Sequence, residues 1–368
     1  MYKKFLQFIK KNWKWFLLIA ILLMSFGIRL STTDTKWLLA YDPYFQYRYT
    51  ADVVEDGILS EWDEFTYYPP GRTTRIIPPF MHYLTGYLFI IFNPLFGMTL
   101  MAFCKYMAAV YGAIAIIPAY FLGKEFSDKN AGLLAAFFVG MSPAILTRTM
   151  GGFFDTDGLV IFFSLLSMYL LVRSSRKNIF KDFNMKNILL YPLPAILGLI
   201  LFALTWFAAW YIPLIVLLST ITYFIILLIS GKSEWKIKGK IKDVMIPFSD
   251  RIKKSLIEFK NVIIPFLIIF VVASIVVWFL QIFDLGFGYN AIGEIIKLFS
   301  FAQDPAKLLI VNISVAELQN LDVFGGAWNE LFARIGMSFI FAIPGALLLL
   351  RRDKKNGAIL LTWAGISF

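Results

Sequence analysis

The sequence predicts an all-α protein that crosses a membrane several times, and composition, apolar runs and charge placement each support this fold class. Of the 368 residues, 59% are hydrophobic and only 16% are charged. A soluble domain carries about a quarter charged residues. The mean hydropathy is +0.71, so lipid rather than water is the solvent for much of the surface.

Apolar runs long enough to cross a bilayer recur along the chain, and we predict about nine or more transmembrane helices. The segment 84–97 is apolar but short and contains Pro94. It is interpreted as re-entrant or interfacial, with a full span as the alternative. The predicted spans are 13–30, 99–123, 130–147, 158–173, 188–210, 212–230, 262–283, 333–350 and a further one from Gly357.

Basic residues concentrate in alternate loops, which sets a single orientation. They lie at the N-terminus and in the segments 124–129, 173–186, 231–261 and 351–355, of which 231–261 is the most basic. The N-terminus is therefore predicted to be cytoplasmic, which leaves 31–98, 148–157, a turn near 211 and 284–332 outside. The predicted organisation is 1–30 (lysines and first span), 31–98 (first external loop), 99–230 (spans), 231–261 (basic cytoplasmic loop), 262–283 (span), 284–332 (external loop) and 333–368 (terminal spans).

The net charge of +11 is explained by this topology, so we predict membrane lipids rather than nucleic acid as partners. Cys104 and His82 are the only cysteine and histidine. An internal disulfide is therefore impossible, and a zinc site built from Cys and His clusters is excluded.

Three acidic features fall on the external segments: Asp42, the pair Asp155 and Asp157, and Glu317. A D-x-D pair with a third carboxylate forms an all-oxygen site that suits Mg²⁺ or Mn²⁺. Each feature also has a simpler interpretation. The pair can cap the following helix, Asp42 can pair with Arg48, and Glu317 can be a solvated loop residue.

Three arginines accompany these acids on the external segments. Arg148 precedes the D-x-D pair and lies on an external segment, whereas basic residues usually concentrate on the cytoplasmic side. This position favours pairing of Arg148 with a carboxylate or phosphate. Arg72 and Arg75 lie among aromatic residues and prolines of the segment 61–83. That segment is interpreted either as an interfacial aromatic belt or as a groove for a sugar or lipid headgroup, in which the two arginines would bind donor phosphate.

Four stretches in order resemble the catalytic subunit of the oligosaccharyltransferase, archaeal or eukaryotic type, in its N-terminal transmembrane portion. They are YDPYFQYRYTA at 41–51, YYPPGR at 67–72, TRTMGGFFDTDG at 147–158 and SVAE at 314–317. The resemblance implies a glycosyltransferase of the GT-C membrane architecture. Its active site would face the exterior of an archaeal cell or the lumen of the endoplasmic reticulum.

The resemblance also implies residue roles and partners. Asp42, Asp155 and Asp157 would bind Mn²⁺ or Mg²⁺, and Asp42 and Glu317 would bind and activate the acceptor asparagine. Arg148 would orient the acidic cluster or contact phosphate. The partners would be a lipid-linked oligosaccharide donor on dolichyl phosphate or diphosphate and an acceptor polypeptide with an N-x-Ser/Thr sequon.

The family also carries a soluble C-terminal domain with a Trp-Trp-Asp-Tyr-Gly motif that reads the sequon hydroxyl. This motif is not found among residues 1–368. We therefore expect that these residues alone do not select sequons efficiently. Two alternatives remain at this point: another polyprenyl-phosphate-sugar glycosyltransferase, and a transporter, which would place ionisable residues at mid-membrane and show inverted repeats.

Overall fold

The computed structural model describes residues 2–175, 184–230, 232–237, 240–245, 248–282 and 338–367. These residues are mostly helical. The helices are α1 (Tyr2–Leu30), α2 (Tyr41–Asp56), α3 (Phe80–Phe96), α4 (Leu100–Ile114), α5 (Ile116–Phe126), α6 (Lys129–Met141), α7 (Pro143–Thr147), α8 (Asp157–Ser175), α9 (Met185–Leu190), α10 (Pro192–Thr205), α11 (Tyr211–Ser230), α12 (Phe248–Ile282), α13 (Ser338–Arg352) and α14 (Lys354–Ser367).

Two short antiparallel hairpins complete the described elements. Strand β1 (Trp62–Asp63) pairs with β2 (Arg72–Thr73). Strand β3 (Lys232–Ile237) pairs with β4 (Lys240–Met245). The second hairpin lies within the segment 231–261, which the sequence analysis predicts as a basic loop.

Six helical stretches in the described residues are long and apolar enough to cross a membrane, and α3 and α6 are shorter apolar helices. This confirms the prediction of a helical, multi-span membrane protein, while the described part does not reach the count of nine. The six stretches are Lys10–Leu30, Leu100–Phe126, Asp157–Ser175, Met185–Thr205, Tyr211–Ile229 and Ser255–Leu280.

Several helix bounds differ from the predicted spans. The predicted span 130–147 is two helices, because α6 ends at Met141 and Pro143 opens α7. A residue before proline disfavours helical backbone, which explains the break at Ser142. Helix α12 begins at Phe248, inside the predicted loop 231–261. The residues from Phe248 to Asn261 contain no proline or glycine, so the helix extends from the apolar span into this segment.

The chain forms two compact units. The first contains Met1–Leu170, Leu197–Trp210 and Ala273–Gly336. Within its described residues, α5 and α6 approach closely through Gly123 and Gly132. A Cβ at Gly132 would lie 2.6 Å from the Tyr120 carbonyl oxygen. Small residues at such crossings let helix backbones pack tightly in a membrane. A buried apolar cluster surrounds this crossing, formed by Leu18, Ile21, Ile116, Tyr120, Leu133 and Ala136.

The second unit contains Leu171–Ile196, Tyr211–Val272 and Met337–Phe368. Polar bonds join its helices: Thr362 Oγ1 donates to Thr222 Oγ1 at 3.0 Å, and Tyr223 Oη donates to Glu258 Oε2 at 2.6 Å. Hydrogen bonds between helices contribute about 1 kcal/mol each in a membrane. These hydrogen bonds determine which faces of the helices meet, because apolar contacts alone would allow several arrangements.

The segment 31–98 is not an open loop. Helix α2 packs against α3, with Val53 of α2 filling the space beside Gly86 of α3. After α2, the carboxylate of Asp63 is buried and receives bonds from several donors. Arg48 donates to Asp63 Oδ1 at 2.7 Å and to Oδ2 at 2.5 Å, and Tyr49 Oη donates to Oδ2 at 2.5 Å. We call these residues, with Thr66, the Asp63 cluster.

The pKa of Asp63 lies below its ordinary value of 3.8. Burial acts to raise this pKa, but hydrogen bonds from Thr66, Tyr49 and the Phe65 N–H, together with the Arg48 charge, lower it to about 2. Because the folded-state pKa is lower than that of the unfolded chain, the charged carboxylate stabilises the fold above pH 3.8. That contribution, about 2 kcal/mol by linkage, is lost as the pH falls towards 2.

We therefore expect the amides of residues 57–79 to keep constant hydrogen-exchange protection from about pH 7 to pH 5 and to lose it below about pH 3. Exchange rates corrected for the intrinsic rate at each pH provide the measurement. The Asp63→Asn variant should show weaker protection that no longer changes with pH over this range. An unchanged pH profile in Asp63→Asn would show that another group causes the acid sensitivity.

Candidate acidic site

Asp155 and Asp157 lie at the start of α8. Asp157 is its first residue, and the Thr156 carbonyl oxygen accepts from the Val160 N–H at 2.9 Å. Asp155 Oδ1 accepts from the Thr156 N–H at 2.7 Å. Negative charge at this end of a helix is favourable because unpaired N–H groups and the helix dipole meet it there. The helix-start interpretation from the sequence is thus compatible with a metal-binding one.

Backbone hydrogen bonds join the glycines before Asp155 to the chain that leaves α1. The Gly151 N–H donates to the Arg29 carbonyl oxygen at 2.7 Å, and the Leu39 N–H donates to the Gly152 carbonyl oxygen at 2.9 Å. Thr32 Oγ1 also donates to the Gly151 carbonyl oxygen at 2.6 Å. The segment that carries Asp155 is therefore fixed to the segment that leads into α2 and Asp42.

Arg29 adds side-chain bonds to this junction. It lies fully buried near the end of α1. Its Nε donates to Thr149 Oγ1 at 2.9 Å, and its Nη1 donates to the carbonyl oxygens of Ser25 and Gly140 at 3.1 Å each. A buried cation inside a membrane protein is costly unless it is hydrogen-bonded. These bonds therefore fix α1, α6 and the Thr149 position together.

Both glycines of this segment are required by the geometry. A Cβ on Gly151 would clash with Thr33 Cγ2 and lie 3.0 Å from the Arg29 carbonyl oxygen. Gly152 has a φ of +95°, a backbone conformation that side chains with L-configuration rarely adopt. A Cβ there would also lie 3.2 Å from Leu39 Cγ. The Gly-Gly pair thus permits the close approach that places Asp155.

We expect Gly152→Ala to destabilise this segment by about 1–2 kcal/mol and to lower any activity that depends on the position of Asp155 by about 10- to 100-fold, because small displacements at a reacting centre cost this much. Gly57→Ala is the matched control. Gly57 also has a positive φ, of +78°, but no atom would crowd its Cβ and it ends α2. Similar activity losses in both variants would show that general strain, rather than the position of Asp155, causes the effect.

Arg148 pairs with Asp157, with its Nε donating to Asp157 Oδ2 at 2.9 Å. Its guanidinium also lies over the Phe153 ring, 4.9 Å from the centroid. The two side chains are partly exposed, so the pair contributes modestly to stability. Its effect is mainly on position: Arg148 holds one oxygen of Asp157 and places a cation beside the acidic pair.

Asp42 lies in the first turn of α2 and is exposed. One helical turn later, Gln46 Nε2 donates to Asp155 Oδ1 at 3.0 Å. Residues separated by one turn lie on the same helix face, so α2 presents Asp42 on the face that contacts Asp155. The alternative that Asp42 pairs with Arg48 is not what the structure has, because Arg48 bonds to Asp63 and Thr66.

Two further predicted site residues, Arg72 and Arg75, have contacts of their own within the described residues. The Arg72 guanidinium lies 5.6 Å from the Tyr67 ring centroid, and Arg75 pairs with Glu61 at 3.5 Å on the surface. Glu317 lies outside the described residues. Within the described residues, no three His, Cys, Asp or Glu side chains are close enough to enclose a metal ion. The roles assigned to these residues remain predictions.

Sequence reasoning missed two polar residues at this site, Gln46 and Arg29, and interpreted His82 only as structural. Gln46 lies between Asp42 and Arg48 in the first acidic stretch, so its helical spacing from Asp42 was an available signal. Arg29 was a charge at the end of an apolar span, which is itself a signal for a function or a buried partner. His82 offers no local signal, because its contact with Gln46 joins residues 36 positions apart.

Together, the fold and the site define a class of protein. Its members are helical proteins that cross a membrane several times and carry carboxylates at the starts of two helices, here α2 and α8. Solved structures share this fold. The archaeal oligosaccharyltransferase AglB from Archaeoglobus fulgidus, in complex with an inhibitory peptide and a dolichol-phosphate, superposes with a TM-score of 0.64 at 21% identity. The match covers 96% of this chain and 46% of that one. A complex of the Archaeoglobus fulgidus oligosaccharyltransferase with Zn and sulfate gives a TM-score of 0.63 at 22% identity, over 96% of this chain and 45% of that chain.

The sequence matches the family model described as oligosaccharyl transferase STT3, N-terminal, over residues 14–336. The chain therefore belongs to the STT3 oligosaccharyl transferase family. Among similar proteins, the dolichyl-phosphooligosaccharide-protein glycotransferase 3 of Archaeoglobus fulgidus is 32% identical over 219 residues, which is 56% of this chain and 25% of that protein. The STT3A subunit of Oryza sativa is 30% identical over 166 residues, or 43% of this chain and 21% of that protein. The chain thus spans about a quarter of the length of these relatives.

Proposed function

We propose that this chain is the membrane portion of an enzyme that transfers an oligosaccharide from a dolichyl phosphate or diphosphate carrier to the asparagine of N-x-Ser/Thr sequons. Family membership supports this activity, and the names of the relatives describe the same class of reaction. The observation that carries it is the contact of α2 with Asp155, which brings the first and second acidic stretches together.

The reaction needs groups that hold an amide and groups that receive charge on a leaving phosphate. An asparagine amide nitrogen is a poor nucleophile, and a carboxylate that accepts its N–H bonds orients it for attack. Asp42, exposed at the start of α2, is suited to this task, and Glu317 is proposed to share it. Arg148 places positive charge beside the acidic pair, where it can stabilise phosphate oxygens.

The acidic residues suit a hard divalent cation. The donors are carboxylate oxygens, which Mg²⁺ and Mn²⁺ prefer. All hydrogen bonds that the Asp155 carboxylate accepts fall on Oδ1, so Oδ2 has no protein donor among the described residues. A hard cation usually takes only one or two carboxylates and completes its shell with water and phosphate. Asp155, Asp157 and Asp42 do not enclose an ion by themselves, so they would hold Mn²⁺ or Mg²⁺ together with water and phosphate oxygens. The bound ion would neutralise charge on the leaving phosphate.

The finer topology belongs to the same proposal. The placement of basic residues supports a cytoplasmic N-terminus and an acidic site on the external or luminal face. The proposal includes about nine or more spans, among them 333–350 and one from Gly357. The proposed donor-phosphate roles of Arg72 and Arg75 rest on their place in the segment between α2 and α3.

A transfer assay tests the proposal. The natural full-length protein, purified in nanodiscs, is supplied with a dolichyl-linked oligosaccharide and either an Asn-x-Thr or a Gln-x-Thr peptide. We expect a glycopeptide only with the asparagine peptide, loss of product with EDTA and recovery with Mn²⁺ or Mg²⁺. Transfer to another acceptor, with none to the asparagine peptide, would instead identify a different glycosyltransferase activity on the same fold.

A further inference from the structure

Gln46 forms a bridge between the acidic site and a buried histidine. Its Nε2 donates to Asp155 Oδ1 at 3.0 Å. Its Oε1 lies 2.7 Å from His82 Nε2. His82 lies in the first turn of α3 and is fully buried. Three elements thus meet through one amide: α2, α3 and the segment before α8.

The chemistry of these groups fixes the direction of every bond. An ionised carboxylate only accepts hydrogen bonds, so the amide NH₂ of Gln46 must face Asp155. The amide oxygen then faces His82 and needs a donor, so His82 carries its hydrogen on Nε2. His82 Nδ1 is left without a partner among the described residues. The neutral imidazole with hydrogen on Nε2 satisfies this geometry, because an additional N–H on Nδ1 would be buried and unpaired.

The surroundings of His82 hold it in place. The Tyr49 ring packs against the imidazole at a centroid distance of 5.5 Å and an interplanar angle of 66°. Tyr49 is itself fixed by its bond to Asp63. A buried histidine with one unsatisfied nitrogen is costly. Among the described residues, the only hydrogen bond of the His82 imidazole is the one to Gln46. The local packing therefore supports the orientation of the Gln46 amide.

The bond from Gln46 falls on the oxygen of Asp155 that also accepts from the Thr156 backbone. The Gln46 amide and the N–H and hydroxyl of Thr156 thus hold Oδ1, which sets the direction of Oδ2. Carboxylates and imidazoles that ligate metals are commonly fixed in this way by groups behind them. A carboxylate with one oxygen held and the other open is prepared for a monodentate bond to a cation.

We propose that Gln46 and His82 are a positioning pair that holds Asp155 with Oδ2 open towards a divalent cation. This inference rests on the proposed function, since it assigns a role at the same site. Neither residue touches the reacting groups. Gln46 orients the carboxylate, and His82 orients Gln46.

The test measures Mn²⁺ affinity of the purified protein by the loss of the free-ion EPR signal. We expect Gln46→Met, which keeps the side-chain length but removes the amide, to raise the Kd about 10- to 100-fold, the range for groups that support a metal ligand. His82→Leu should raise the Kd in the same direction. His82→Gln should restore most of the affinity, because its Nε2 can donate to Gln46 as the imidazole does.

Tyr83→Phe is the matched control. Tyr83 lies beside His82 on α3, and its Oη accepts from the Leu59 N–H at 3.2 Å, so the variant removes a hydrogen bond of α3 away from Asp155. Its Mn²⁺ affinity should equal that of wild type. Thermal unfolding of every variant separates loss of fold from loss of affinity, and the contrast between His82→Leu and His82→Gln remains informative if Gln46→Met folds poorly.

The outcomes separate the positioning inference from the proposed function. Loss of Mn²⁺ binding in Asp155→Ala with wild-type affinity in Gln46→Met and His82→Leu would overturn the positioning role alone. A wild-type protein that binds no Mn²⁺, or binds it independently of Asp155, would overturn both the positioning role and the metal assignment. The expected affinities with no glycosyl transfer would support the positioning pair while contradicting the proposed reaction.

Discussion

Replacement of Asp155 by alanine is expected to lower oligosaccharide transfer by about 10²- to 10³-fold, as when a preorganised charge-stabilising group is removed. Asp155 lies where the segments that carry both acidic stretches meet, through its bond to Gln46 and its place before α8. Asp157→Ala should also lower transfer, and it additionally leaves Arg148 without the carboxylate that its Nε contacts. The measurement is the initial rate of glycopeptide formation at an Mn²⁺ concentration that just saturates the wild-type protein.

Glu64→Gln is the control for this prediction, because Glu64 is an exposed carboxylate of the segment 57–79 with no assigned role. Its rate should match that of wild type. Excess Mn²⁺ should partly rescue Asp155→Ala if the lost activity reflects weakened metal binding. Rates within a few-fold of wild type for both Asp155→Ala and Asp157→Ala would contradict the metal-binding role. The two residues would then serve only to start α8.

The second large effect is expected at the Asp63 cluster. The side chain of Asp63 is 5% exposed and that of Arg48 is 31% exposed. Arg48→Met leaves the buried carboxylate without its countercharge, and removal of one partner of a buried pair costs about 3 kcal/mol or more. We expect this loss in the free energy of opening of residues 57–79, measured by hydrogen exchange.

Glu61→Gln provides the comparison, since it breaks the Arg75–Glu61 pair, whose side chains are 54% and 80% exposed. Exposed pairs contribute less than about 1 kcal/mol. The free energy of opening of residues 57–79 in this variant should therefore be close to that of wild type. Equal effects of the two variants would show that the burial of Asp63 does not determine the stability of this segment. Arg48→Lys should recover only part of the loss, because lysine cannot form the two parallel bonds that arginine makes.

The sequence predicted those parts of the fold that depend on composition. Apolar runs identify the spans because burial in lipid requires them, and a charged residue at the start of a run marks a helix end. The D-x-D pattern draws attention to Asp155 and Asp157 as a metal site, and their place at the start of such a run adds the helix-start interpretation. Helix α2 was missed because its apolar residues serve packing against α3 rather than lipid, although Tyr49 and Val53 are spaced one turn apart and are both buried.

Contacts between distant residues were beyond sequence reasoning. One interpretation of the sequence pairs Arg48 with Asp42, but Arg48 bonds to Asp63, because the chain turns back after α2 and the β1–β2 hairpin holds Asp63 in place. The Gln46–His82 contact likewise depends on how α2 and α3 pack. The break of α6 at Ser142, in contrast, follows from Pro143 and was available from local backbone rules.

The bonds of Arg29 have a consequence for how this protein is made. A chain that enters the membrane from its N-terminus delivers α1 first, when only the carbonyl and hydroxyl oxygens of the nearby Ser25 are available to the guanidinium. Its other acceptors follow 111 and 120 residues later, at Gly140 and Thr149. Until those residues are synthesised, the end of α1 carries a poorly compensated cation, which favours a position near the water interface. We therefore expect the end of the first helix to reach its final position only after α6 and α7 have been synthesised. The acidic site forms no earlier, because Gly151 before Asp155 bonds to this end of α1.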